Sequence, residues 1–120
     1  IIGDGLYGSW PGNRHAPIRW SSFNNDSPNI LFFGVDPIAA DSVMFDYLVR
    51  EGEIAGSFGY SFKGAEDILI LGAQHGLGVH ERWNNNIDRE YTVIDYIEID
   101  IDKGLCKRCS GSGRASSKDC

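Results

Sequence analysis

The eight residues Gly34–Asp41, GVDPIAAD, constrain the fold most, because they join two elements of different period. Before them, NILFFGV is a short apolar run rich in β-formers and closed by a glycine, which predicts a buried strand over Ile30–Val35. After them, Ala40, Val43, Met44, Tyr47 and Leu48 recur at three- and four-residue spacing. That pattern predicts a helix with one buried face to about Arg50, ended by Gly52. At the junction Pro37 takes the first helical position, where its missing N–H costs nothing. Asp36 is then placed to accept a bond from the free N–H groups of the first turn.

A second helix is predicted over Ala65–His75, with Ala65, Ile68, Leu69, Gly72 and Ala73 on one face and a HGLG ending suited to a left-handed cap at Gly76. The connection between the helices, EGEIAGSFGYSFKG, is glycine-rich with alternating aromatics. YIEIDID alternates isoleucine with acids and predicts a half-exposed strand over Ile97–Asp102 with its acidic face to water. Residues 5–29 have no period, yet hold Trp10, Trp20 and Phe23. An aperiodic loop that carries aromatics reads as a packed functional loop rather than a disordered one. Ile1-Ile2 running into Gly-Asp-Gly reads as the end of a strand, so the chain is expected to be the C-terminal part of a longer protein.

The expected fold class is α/β: a partial mixed or parallel sheet with two packed helices, plus a short cysteine-containing tail. The expected domains are residues 1–104, the C-terminal part of an α/β domain, and 105–120, a truncated zinc-ribbon-like tail separated by a composition shift after Gly104. At 120 residues the chain can bury one modest core. No apolar run approaches the roughly 20 residues that span a bilayer, and cytoplasmic location is the expectation.

Charge is unevenly divided. Residues 1–102 hold 6 Lys/Arg against 16 Asp/Glu, net −10, whereas residues 103–120 hold 5 against 1, net +4. The body is expected to repel nucleic acid and anionic membrane surfaces. Cys106, Cys109 and Cys120 all lie in the tail. An odd, clustered set that begins Cys-x-x-Cys reads as metal ligands rather than as a disulfide framework, and favours a reducing compartment. A closed tetrahedral zinc site needs four ligands, and this tail supplies three.

Three acids are candidates for a site. Asp36 is already accounted for as a helix cap, and Asp41, five positions on, is rotated away from it, so local geometry gives no tight carboxylate pair. The functional alternative needs Asp4. If the strands at Ile1-Ile2 and Ile30–Val35 are parallel neighbours, Asp4 and Asp36 share the carboxyl edge where open α/β sheets bind ligands. The loop residues Asn13, His15 and Arg19 would then cover the crevice, with oxygen and imidazole donors suited to a metal or an anionic substrate. If the strands are antiparallel, the two aspartates lie at opposite edges. GDGLYGSWPG lacks the lysine of a phosphate loop and no helical pattern follows it. His75, at a helix C-terminus, reads as structural.

Taken in order and spacing, IIGDGLYGSWPGN…APIRW, LFFGVDPIAADSVMFDYL and AQHGLGV resemble the C-terminal half of the domain of unknown function 362 family. That pattern has an Asp-Gly-Ile-x-Gly segment, a strand ending in Asp-Pro-Val-Ala-Leu-Asp and a helix closing on Gly-Leu-Gly. The similarity covers about residues 1–82, with DPIAAD on Asp36, Pro37, Ala39 and Asp41. It implies a bacterial or archaeal α/β protein, sometimes associated with ferredoxin-type iron–sulfur modules, so an iron–sulfur cluster elsewhere in the full-length protein is an expectation. Cys106–Gly113 resembles the Cys-x-x-Cys-x-Gly-x-Gly repeat of DnaJ-type zinc domains, with Cys120 as the first cysteine of the next repeat; this implies zinc at the tail.

Two functional readings follow. In one, an aspartate-lined crevice takes a small-molecule ligand or metal, serving an enzyme that is redox-linked or acts on a small anionic substrate. In the other, the chain is a non-enzymatic, metal-dependent binding module whose cysteine tail contacts a partner. Convergence or dispersion of Asp4, Asp36 and Asp41 separates them.

Overall fold

The computed structural model describes residues 1–6, 17–54, 63–84 and 90–109, with the backbone alone at 63 and 105–109. Four strands, β1 (Ile2–Gly5), β2 (Ile30–Phe33), β3 (Tyr96–Asp100) and β4 (Leu105–Cys109), accompany two helices, α1 (Pro37–Ile54) and α2 (Lys63–Gln74). The class is α/β. Both strand pairs are antiparallel: β1 with β2, Ile2 opposite Phe33 and Gly5 opposite Ile30, and β3 with β4, Tyr96 opposite Cys109 and Asp100 opposite Leu105. No described helix is long and apolar enough to cross a membrane.

Helix α1 is the central element, and it buries more than the predicted stripe. Val43 and Tyr47 face one core with Tyr91 and Ile94, lined by Phe23, Ile30, Phe32 and Trp83. Tyr47 is the hub of that core. Its ring lies 5.9 Å from Phe23, 5.5 Å from Phe32 and 5.0 Å from Trp83, the last two edge-on, the geometry that aromatic quadrupoles favour. Its hydroxyl lies 2.8 Å from that of Tyr96. Phe45 and Val49, on another face, meet Leu69 of α2. Leu48, assigned to the buried face by spacing, is 43% exposed.

Gly52 does not end α1, which continues to Ile54. The last turns are held because Glu51 accepts the backbone N–H groups of Ser21 and Ser22, at 2.8 and 2.7 Å, at the start of a short 3-10 turn, Ser21–Phe23. That turn is the packed part of the long loop, closed by the Trp20 N–H to the Asp26 carbonyl at 2.9 Å. Trp10 lies outside the described residues.

Helix α2 packs closely on α1 because residue 72 is glycine: a methyl group there would stand 2.6 Å from Ile38 Cδ1. The predicted left-handed cap is present, Gly76 having φ +73. Leu77 N–H bonds the Gly72 carbonyl and Gly76 N–H that of Ala73, both at 3.0 Å, a Schellman pair. Ile68, expected on the buried face, is 70% exposed.

Two expectations change at the far end of the chain. The alternation expected over Ile97–Asp102 holds only to Asp100, where β3 ends, and its phase is inverted. Ile97 and Ile99 are exposed, while Tyr96, Glu98 and Asp100 are half-buried. The large ring of Tyr96, 5.8 Å from Tyr91, sets which face turns inward, and the acids share its parity. The chain after Gly104 is also not a plain linker, since the turn at 101–104 leads into β4.

Candidate functional site

The antiparallel pairing of β1 with β2 separates Asp4 from Asp36. Asp4 stands opposite Leu31 near the start of β2, whereas Asp36 follows the end of β2. The shared carboxyl edge needed for a crevice is therefore not formed by these strands. Asp4 is exposed and turns back on its own chain, accepting Leu6 N–H at 2.8 Å. Asp41 is exposed on α1, and Arg19 is exposed. Asn13, His15 and Cys120 lie outside the described residues. Cys106 and Cys109 are on β4, opposite Ile99 and Tyr96, where the backbone is a paired strand. Among the described residues no group of three or more His, Cys, Asp or Glu is placed to hold a metal ion. Thiolates suit zinc, but three donors leave a tetrahedral shell one short.

Asp36 is a cap on two counts. One carboxylate oxygen accepts Ala39 N–H at 2.9 Å inside the first turn of α1, and the other accepts Val79 N–H at 2.9 Å from the segment after α2. The approach requires a glycine next door, because a Cβ on Gly78 would fall on the Asp36 carboxylate.

The bond to Val79 begins the main polar assembly among the described residues. Residues 79–83 run alongside α1 as a strap: Val79 meets Asp36, His80 meets Ser42, and Arg82 and Trp83 meet Asp46. The two lengths agree. Ten helical residues rise about 15 Å, and four extended residues cover about 13 Å. Ser42 and Asp46 are 0% and 1% exposed, among the most buried side chains present. Asp46 accepts Arg82 Nε–H through a very short bond, Trp83 N–H at 3.0 Å and Tyr91 O–H at 2.9 Å. Arg82 gives a second N–H to Glu66 of α2 at 2.9 Å and lies 4.9 Å over the Phe45 ring.

Electrostatics follow from this packing. Burial pushes the Asp46 carboxyl above its ordinary range, and its bonds from Arg82, Tyr91 and Trp83 recover only part of that. Burial, with the Asp46 charge beside it, also raises the Tyr91 hydroxyl. Arg82 is raised because Glu66 and Asp46 outweigh its own desolvation. Glu81 shows the reverse balance. Burial works to raise it, but N–H groups of Ile94, Val93 and Thr92, at 2.9, 2.8 and 2.5 Å, hold it below the usual carboxylate range.

Ser42, His80 and Glu66 stand in the order of a nucleophilic relay, with 2.8 Å from Ser42 Oγ to His80 Nδ1 and 3.8 Å from His80 Nε2 to Glu66. The chemistry is excluded by position. Ser42 has no exposed surface and its hydroxyl donates to the Ile38 carbonyl at 2.7 Å, so no substrate carbon can reach it. The assembly is a fastening.

Apart from Asp36, none of its members stands in a motif of the sequence. A usable signal was present in the helix, since Ile38, Ser42, Phe45 and Val49 recur at spacings of four, three and four, a second stripe as regular as the one read as apolar. His80, Glu81 and Arg82 fall in a polar stretch without period, so only the fold brings them together. The chain matches no protein-family model, no curated protein and no solved structure.

Proposed function

We propose that this chain is a non-enzymatic binding module, a piece of a domain of unknown function 362-like α/β protein, whose cysteine tail contacts a partner through a shared metal. The observation that carries the reading is the engagement of Asp36, both of whose oxygens are taken by backbone N–H groups. Each oxygen spends one of its two lone pairs in this way, and the carboxylate is turned toward α1 and the strap. Asp4 at the opposite end of the β1–β2 ribbon agrees with the dispersion expected of a module. The three tail thiols are donors for zinc, and a partner's ligand would complete the shell. The redox or iron–sulfur association belongs, in this reading, to the rest of the protein.

The test is metal content of the anaerobically purified full-length protein beside Asp36→Ser and Cys106→Ser, each checked for retained fold. The module reading expects metal to fall with Cys106→Ser and to stay with Asp36→Ser. Metal lost with Asp36→Ser from a folded protein would instead place function in an aspartate-lined crevice acting on a small ligand.

A further inference from the structure

We propose that His80 is a proton-operated clamp joining the strap to α2, a device independent of the tail chemistry. A serine hydroxyl carries one hydrogen. That of Ser42 lies toward the Ile38 carbonyl, 2.7 Å away, in the bond to the fourth preceding residue that serines make inside helices. Two oxygens at that distance without a hydrogen between them would repel. Ser42 Oγ therefore meets His80 Nδ1 with a lone pair, across 2.8 Å, and Nδ1 must be the N–H. In the neutral ring the bare nitrogen is then Nε2, and it faces Glu66 Oε1 at 3.8 Å.

The neutral ring thus sets a lone pair against a carboxylate, whereas a ring protonated at Nε2 sets a cation there. One proton converts an empty contact into an ion pair between α2 and the strap. The side chains are 11% and 29% exposed, so water screens the pair only in part. The groups around the ring are Ser42 from α1, Glu66 from α2 and Arg82 from the strap itself, with Asp46 behind Arg82. Arg82 shares the same Glu66 oxygen at 2.9 Å and competes with the imidazolium for it. With the ring neutral the ion pair is absent and Glu66 stays on Arg82.

The experiment reads imidazole nitrogens by long-range proton–nitrogen NMR on the ¹⁵N-labelled full chain from acid to alkaline pH, in wild type and Glu66→Gln. The expected result is that neutral His80 is the Nδ1–H form, unlike exposed His75, and that in acid the Nε2–H of the charged His80 ring exchanges with water more slowly in wild type than in Glu66→Gln. A neutral His80 carrying its proton on Nε2 overturns the proposal, as does an Nε2–H exchange rate unchanged in Glu66→Gln. The tautomer is read on the wild-type protein, so the outcome stands even if the variant does not fold.

Discussion

The seam between the helices and the strap and the β3–β4 hairpin both draw on acids, yet they use them in opposite ways. Along the strap, Asp36 at the start of α1, Asp46 within it and Glu66 of α2 hold backbone N–H groups or Arg82, and Asp46 is almost wholly out of water. On the hairpin, Asp100 pairs with Lys103 across an exposed turn, while Ile97, Ile99 and Ile101 stand in solvent. The difference teaches where a carboxylate carries structure. A buried acid is costly unless fully partnered, so removing it undoes every group it holds; an exposed pair is screened and substitutable.

The sharpest way to break this comparison is Asp46→Ala, which strands Arg82, Trp83 N–H and Tyr91 O–H together. A loss of about 3–5 kcal/mol in denaturant unfolding is expected, against no measurable change for Asp100→Ala. Gly78→Ala comes next. Its methyl displaces the Asp36 carboxylate from two N–H groups, and a loss of about 1–3 kcal/mol, read as a lower denaturation midpoint, is expected.

Acid titration then sets two carboxylates against each other. Glu81 is held below its ordinary value, so its contribution is present above about pH 4.5 and lost as pH falls. The cost of Glu81→Gln should therefore grow as pH rises through that window. Asp46 is raised, so its contribution is full below about pH 3.8 and declines as pH rises, and the cost of Asp46→Asn should shrink in the same direction. Unfolding curves at several pH values read both slopes; equal slopes would erase the distinction. The smallest effect belongs to Ile99→Ser, at 67% exposure, expected to change stability by no more than about 0.5 kcal/mol. A large loss there would mean that the hairpin face is covered.

What could be read from the chain was local. A strand starting at Ile30, though half-exposed and ending at Phe33 rather than buried to Val35, Pro37 opening α1, the Asp36 cap and the left-handed Gly76 all follow from neighbours in sequence. Strand direction did not, because apolar runs carry no polarity, and with direction went the fate of the Asp4–Asp36 crevice. The phase of β3 was misjudged because Tyr96, placed outside the alternating pattern, fixes the inner face. The fastening at Ser42, Asp46 and His80 joins residues about 35–40 apart in sequence and depends on burying polar groups, which a rule that sorts apolar from polar faces excludes.

The central claim is that Asp36 is a structural bracket joining α1 to the strap. Asp36→Ser tests it most directly, since a serine still caps the first turn but has no second oxygen for Val79. Amide hydrogen exchange, residue by residue, is predicted to show Val79 losing protection while Ala39 keeps most of its own. Val79 protection unchanged in the folded variant would contradict the account.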